Sequence, residues 1–400
     1  MVKVAVLGYG TIGRGVVTVL QGNADTIEKK AGKRVEVKKI LDLRDFPGDP
    51  NADKVVHDYE EIRTDGEIQI VVECMGGLEP AYTFVKTALQ QGRSVATSNK
   101  ELVAKYGAEL IEIAKENTCN FLFEASVGGA IPIIRPLLSC LTADKIEEIA
   151  GILNGTTNYM LSKMEREGAD FHEVLKEAQA KGYAELHPEA DIEGWDACRK
   201  IAILTSLAYE KQVDFEDIPT EGITNITAED IMYAKKMERT IKLIGQSWIS
   251  EGKVYAMVSP MLIEMDHPLA PVKGVFNAIF VHGNMVDDVM FYGQGAGSLP
   301  TASAVAADVV DCVKHIGKTV KINWSKEKLA LGDIGGFERK FFVRLPGDTP
   351  EDKIRDLFGE VEMITVPGLD EKAFVTKAIK ENDFDKAAAA VNVINRIRLH

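Results

Sequence analysis

The chain carries no surplus of positive charge. Its 61 acidic residues outnumber 47 basic ones, for a formal net charge of −14 at pH 7, and a surface of that sign disfavours nucleic acid and anionic membranes as partners. It also lacks a Cys-x-x-Cys pair. The five cysteines (Cys74, Cys119, Cys140, Cys198, Cys312) are odd in number and widely spaced, which excludes the common zinc-ribbon and dithiol patterns. Lying mostly in apolar runs, they read as buried free thiols in a reducing compartment. No apolar run approaches the roughly 20 residues that span a bilayer. The start, Met1 to Gly8, has no cleavable-leader character, so a cytoplasmic location is expected. No internal repeat or low-complexity tract is present.

What is present is ample apolar content, 46% of 400 residues, enough for two or three domains. Val2 to Leu7 reads as a buried strand, followed by Gly8-Tyr9-Gly10-Thr11-Ile12-Gly13 and then Val16, Val17, Val19 and Leu20 at helical spacing. That is the dinucleotide fingerprint in its strand-turn-helix setting. The first glycine permits the tight turn, the second lets backbone approach a pyrophosphate, and the third lets the helix pack on the sheet. The phosphates would sit on the helix N-terminus, where free N–H groups and the dipole favour an anion. A second strand, Val35 to Leu41, ends in Asp42-Leu43-Arg44-Asp45. An acid at that place bonds ribose hydroxyls and favours NAD, whereas an arginine accommodates the extra phosphate of NADP. Asp42 and Arg44 compete there, so both cofactors remain open.

Further strands, Ile68 to Met75 and Arg93 to Ser98, carry Met75, Gly76, Asn99 and Lys100 at their carboxyl ends, the edge where a doubly wound sheet collects ligands. Asn120 to Glu124 is one more strand. After it, Ala125 to Pro132 is rich in glycine, which fits a structural turn or a loop whose carbonyls join a carboxylate around a hard cation. Beyond Pro136 the strand-helix alternation stops. Strands are expected at Ile146 to Ile152, Ile241 to Gly245, Lys253 to Val258, Val275 to Phe280 and Asp288 to Tyr292, forming an open α+β sheet backed by helices. A symmetric dimer through such a sheet is expected. Gly293 to Thr301 leads into a small-residue helix, Ala302 to Val313, expected to return to the first domain. The tail reads as strand, helix, strand, strand, helix, strand, the βαββαβ order of a small ferredoxin-like module.

The middle holds the acids and amines. Asp196 and Lys200 are four apart in a segment without proline, so on a helix they share a face, with Glu185 and Asp191 just upstream. Taken alone, that pair reads first as a surface ion pair. With the blocks around it, the chain is similar to the homoserine dehydrogenase family over essentially its whole length. The shared blocks are the glycine loop, Glu73-Cys74-Met75-Gly76-Gly77, Thr97-Ser98-Asn99-Lys100, Glu124 to Gly129, Gly151 to Asn158, Glu185, Asp191 to Lys200, and Gly295-Ala296-Gly297 before Pro300-Thr301-Ala302.

The resemblance implies NAD(P)H-dependent interconversion of L-aspartate 4-semialdehyde and L-homoserine, on the route to threonine, isoleucine and methionine. It implies Lys200 as the catalytic lysine with Lys100 supporting it, and Glu185, Asp191 and Asp196 around the substrate. It implies cofactor contacts at Gly8, Gly10, Thr11, Ile12, Gly13, Asp42, Arg44, Met75, Gly76, Asn99, Lys100, Gly182 and Gly297. A sodium-type cation would use the Glu124 carboxylate with carbonyls of Val127, Gly129 and Ile131. The architecture implied is a Rossmann-type α/β domain over residues 1–133 plus a returning helix at about 301–330. An α+β catalytic and dimerisation domain over 134–300 and an ACT-like ferredoxin-like tail over 337–400 complete it.

Three departures stand out. His187 replaces a second acid, and reads as an exposed loop histidine or a group that tunes pH dependence. The second strand's ending is blurred. The tail offers Pro346-Gly347-Asp348-Thr349-Pro350 where amino-acid-binding ACT modules have an Asp-x-x-Gly turn, which speaks against threonine feedback. Two other readings are open. A thioester aldehyde dehydrogenase would need a reactive thiolate beside a base, which no cysteine offers. A non-catalytic nucleotide-sensing regulator on the same fold would have no need of the Lys100, Glu185, Asp196 and Lys200 set.

Overall fold

The computed structural model describes residues 1–400. Six parallel strands form the first sheet: β1 (Val2–Leu7), β2 (Val35–Leu41), β3 (Val55–Val56), β4 (Ile68–Glu73), β5 (Ser94–Thr97) and β6 (Phe121–Leu122), in the order β3-β2-β1-β4-β5-β6. β1, β4 and β5 are nearly continuous apolar runs, as strands covered on both faces must be; Val4, Val6, Ile70, Val72 and Ala96 are wholly buried. Strand order reverses between β1 and β4, which opens a crevice at their carboxyl ends. The strand expected at Asn120 to Glu124 shrinks to two residues, because Glu124–Ser126 turns into a single 3-10 turn. The helix Ser298–Lys314 does return to this sheet. At Gly15 of the first helix, α1 (Thr11–Gly22), a methyl group would stand 2.9 Å from the Ala302 Cβ, so only glycine allows the approach.

The second sheet has nine strands and absorbs the tail. Its central members are β7 (Ile146–Ile152), β8 (Arg239–Ser250), β9 (Lys253–Glu264), β10 (Phe276–Gly283) and β11 (Asp287–Gln294). The tail contributes β12 (Phe341–Pro346), β13 (Val361–Ile364), β14 (Glu371–Thr376) and β15 (Asn395–Leu399). The order is β11-β10-β7-β8-β9-β15-β12-β14-β13. One parallel pairing, Met261 with Arg398 and Leu262 with Leu399, joins the tail to β9; the neighbouring pairs are antiparallel. A buried arginine rivets the same junction: Arg344, 2% exposed, donates to Asp230 at 2.7 Å, to the Thr227 hydroxyl at 2.9 Å and twice to Glu371 at 2.8 Å. The tail is therefore continuous with the middle sheet.

Against one face of β8 and β9 packs the helix Trp195–Tyr209, with Ile201 and Leu204 wholly buried in the same apolar core as Leu243 and Val258. The other face carries a second core, including Ile244, Trp248, Met257 and Phe280. Cys119, Cys198 and Cys312 are buried thiols as expected, but Cys74 is half-buried and Cys140 exposed. No helix is long and apolar enough to cross a membrane.

Candidate active site

At the crevice, each glycine of the first loop answers a different constraint. Gly8 takes a left-handed φ of 90°, and a side chain there would meet the Cys74 carbonyl at 3.0 Å. At Gly13 it would lie 1.9 Å from the Gly8 carbonyl, so the turn closes only on glycine. Gly10 faces nothing within 4 Å. That opening lies at the start of α1, whose N-terminus has no side-chain cap and no acid in its first turn. Unclaimed N–H groups beside open space suit a diphosphate.

Asp42 and Arg44, expected as rivals, form one unit. The Arg44 guanidinium donates to both Asp42 carboxylate oxygens, at 2.9 and 3.0 Å, and the Tyr9 N–H donates to the same group at 2.8 Å. Hydrogen bonds from Arg44 lead the effects that hold Asp42 well below the usual carboxylate range. Arg14, which the sequence did not single out, lies 5.2 Å from the Tyr9 ring centroid and 4.8 Å from that of Phe46, adding a second cation at this mouth.

The ends of β4 and β5 are tied by a buried acid that also went unassigned. Glu73 accepts the Met75 N–H at 2.7 Å, the Gly76 N–H at 3.2 Å and the Thr97 hydroxyl at 2.6 Å. Asn99 donates to the Gly77 carbonyl at 2.6 Å and accepts the Leu102 N–H at 3.1 Å, capping α2 (Lys100–Glu116). The cap sets Lys100 at the first turn of that helix, on the crevice side. Its only sequence signal is an Asn just before the helical run.

From there the site crosses to the second sheet. Lys100 Nζ lies 2.7 Å from one oxygen of Asp196, and Lys200 Nζ donates to the other at 2.8 Å. Asp196 and Lys200 do share one face of a helix, and both are buried, 4% and 8% exposed. Lys200 also donates to the Leu153 carbonyl at 2.7 Å; its third N–H has no protein acceptor. Asn154 holds the acids together. Its amide donates to Asp191 at 2.7 Å and to Asp196 at 2.9 Å, while its oxygen accepts the Thr157 N–H at 2.8 Å and caps the helix Gly155–Glu167. One asparagine thus serves as helix cap and acid clamp, a double role that spacing along the chain does not show.

Burial works to raise the Asp196 carboxyl, but the ammonium groups of Lys200 and Lys100 outweigh it and hold it far below its ordinary range. The same charge raises the Lys100 ammonium above its usual value. Asp191 has no such cation in contact: burial pushes its carboxyl up, and the Asp196 charge adds to that. The cluster therefore offers a fixed carboxylate between two ammonium groups, one ammonium with a free N–H, and a second acid poised to accept a cation.

Other expected residues lie further out. Glu185 is exposed on the loop after Gly182, and His187 is exposed beside it. Gly182 and Gly297 have left-handed φ values of 71° and 122°, and Gly297 opens the helix Ser298–Lys314. Glu124, expected to face a cation, points elsewhere. Its carboxylate accepts the N–H groups of Ile133 at 2.7 Å, Ile134 at 2.8 Å and Arg135 at 2.8 Å. The loop it braces, with Val127, Gly129 and Ile131, abuts the glycines before the returning helix: the Ala130 N–H donates to the Gln294 carbonyl at 3.2 Å.

Comparison with known proteins shows the family. Residues 8–124 match the family model for the homoserine dehydrogenase NAD-binding domain, and residues 132–310 match the homoserine dehydrogenase model. A homoserine dehydrogenase of Bacillus subtilis is 42% identical over 319 residues, covering 79% of this chain and 73% of its own. The crystal structure of a homoserine dehydrogenase from Thiobacillus denitrificans is 36% identical with a TM-score of 0.91, covering 100% of this chain and 98% of that one. A hyperthermophilic archaeal homoserine dehydrogenase in complex with NADPH has a TM-score of 0.65 at 28% identity, over 78% of this chain and 97% of that one. On these matches, the chain belongs to the homoserine dehydrogenase family.

Proposed function

We propose that this protein interconverts L-aspartate 4-semialdehyde and L-homoserine with a nicotinamide dinucleotide, in the cytoplasmic synthesis of threonine, isoleucine and methionine. The observation that carries the reading is the Lys100–Asp196–Lys200 bridge, which spans from the carboxyl edge of the first sheet to the helix on the second. The open space at Gly10 and the uncapped start of α1 fit the dinucleotide's diphosphate. When bound, the reduced nicotinamide supplies the hydride. Lys200 directs its free N–H at the carbonyl oxygen, stabilises the negative charge that builds there and delivers the proton. Asp196 aims that lysine. Lys100 anchors the other side of the same carboxylate. Asp191 and, from the exposed loop of residues 182–188, Glu185 receive the substrate ammonium. In the reverse direction, neutral Lys200 takes the alcohol proton.

The Asp42–Arg44 unit accommodates both cofactors: opened, its carboxylate meets the ribose hydroxyls of NAD and its guanidinium the extra phosphate of NADP. Met75, Gly76, Asn99, Gly182 and Gly297 line the nicotinamide side in this reading. With the Glu124 carboxylate filled by amides, a cation at the loop would rest on carbonyls of Val127, Gly129 and Ile131, and no chemical step depends on it. The tail, whose strands run β15-β12-β14-β13 with two helices, is read as an ACT-like module serving assembly and structure. Exposed Met290 and Tyr292 on the edge strand β11, 41% and 54% accessible, support a homodimer formed through this sheet.

Oxidation of L-homoserine, followed at the absorbance of reduced nicotinamide with NAD and NADP in parallel, tests the reading. Homoserine-dependent reduction is expected with at least one cofactor. Folded protein that binds a cofactor but reduces none of it would overturn the assignment.

A further inference from the structure

The stretch that carries Asp191 and Asp196 leans on a segment that is itself held by the tail. At Gly222 a side chain would lie 2.1 Å from the Ile192 carbonyl and 2.4 Å from the Glu193 Cα, so the two segments touch backbone to backbone. The Ile223 N–H donates to that same Ile192 carbonyl at 2.8 Å. Gly194, which starts the Asp196 helix, has no room for a side chain beside Thr220 Cγ2 at 3.1 Å and the Glu221 carbonyl at 3.3 Å. Residues 220–223 therefore form the floor under residues 192–194, which connect the two acids.

Glu221 anchors that floor. Its N–H donates to the Val258 carbonyl at 2.8 Å. Its carboxylate accepts two bonds from Arg398, at 2.8 and 2.7 Å, and two from Arg396, at 3.0 and 3.4 Å. Both arginines belong to β15, the last strand of the tail. Arg398 is further fixed by Glu381, at 3.1 Å, and by its place opposite Met261 in the parallel pairing with β9. Beneath the guanidinium groups lies the Phe341 ring, 5.9 Å from Arg396 and 6.0 Å from Arg398. Fork-to-carboxylate pairing of this kind fixes direction as well as distance.

We propose that Glu221 is a positioning residue for the reaction, through which Arg396 and Arg398 of the tail hold Asp191 and Asp196 in register with the lysines and the substrate. The tail then acts on the site through a rigid contact. This rests on the function proposed above.

The test uses full-length protein and measures kcat/KM for homoserine, KM for NADP and NAD, and urea unfolding. Glu221→Gln is expected to lower kcat/KM for homoserine by about tenfold, the scale of losing charged hydrogen bonds, with cofactor KM unchanged. Glu221→Asp should recover part of the loss, and adding Arg398→Met to Glu221→Gln should lower kcat/KM no further. If the variant carrying Arg398→Met does not fold, Arg396→Met, at the more exposed of the two arginines, is added to Glu221→Gln in its place, again with no further fall in kcat/KM. A Glu221→Gln enzyme within twofold of wild type for homoserine would overturn this inference alone. Equal losses in cofactor KM and in stability would overturn it too, by reducing Glu221 to a general brace. A wild-type protein without homoserine oxidation would overturn the proposed function as well.

Discussion

Two of the charge clusters in this protein, one around Arg135 and one around Asp196, differ in how completely their carboxylates and amines are occupied. Around Arg135 the buried carboxylates are filled. Glu124 takes three backbone N–H groups, Asp308 takes the Glu124 N–H at 2.9 Å and the Arg135 guanidinium, and Arg135 also donates to Asp311 at 2.6 Å. Around Asp196 the carboxylate is equally crowded, yet Lys200 keeps an N–H free and Asp191 faces no cation. Burial of charge alone thus does not mark a working site. A filled cluster fixes a loop; an unfilled one has groups left to offer a ligand, as the proposed function requires.

That contrast breaks most sharply at Lys200. Lys200→Ala is expected to lower kcat by about 10³-fold, within the range for loss of a positioned acid or base, while equilibrium binding of the cofactor is unchanged. At the other cluster, Arg135→Met should cost about 3–5 kcal/mol of stability in denaturant unfolding, since it strands buried carboxylates, and leave turnover per folded molecule near wild type. Burial already pushes the Asp308 carboxyl up, with Arg135 as the opposing influence.

Asp191 sharpens the comparison through pH. Because its folded carboxyl is raised above the ordinary range and, in the proposed function, its charged form receives the substrate ammonium, kcat/KM for homoserine should fall as pH drops through that raised value. Asp191→Asn should remove this acid limb and lower the plateau. The smallest effect is expected at the surface-facing Asp42–Arg44 unit. Arg44→Ala should shift the NADP to NAD preference towards NAD by about threefold, the scale of an exposed ion pair.

The first sheet was legible because its information is local. An apolar strand, a glycine loop and the start of an immediate helix lie within the first 20 residues, and the structure keeps each of them. Asp196 and Lys200 were legible for the same reason, one helical turn apart. What escaped is long-range. Asn154 meets Asp191 and Asp196 across 37 and 42 residues, and β15 joins β9 across more than a hundred. A carboxylate followed by glycines looks alike whether it faces a cation or its own loop's amides, and the three amides that Glu124 accepts come from residues nine to eleven positions further on. β8 runs from Arg239 to Ser250, well past the apolar stretch that announced it, because Gln246 and Ser247 are carried into the sheet by pairing with β7.

The claim that Lys200 is the proton carrier is tested most directly by chemical rescue of Lys200→Ala with a small primary amine. Homoserine oxidation by the variant should rise with methylamine concentration, at fixed pH and ionic strength, while Arg135→Met is indifferent to it. A rate that stays at the variant's basal level across the titration, with cofactor and substrate bound, would contradict the account.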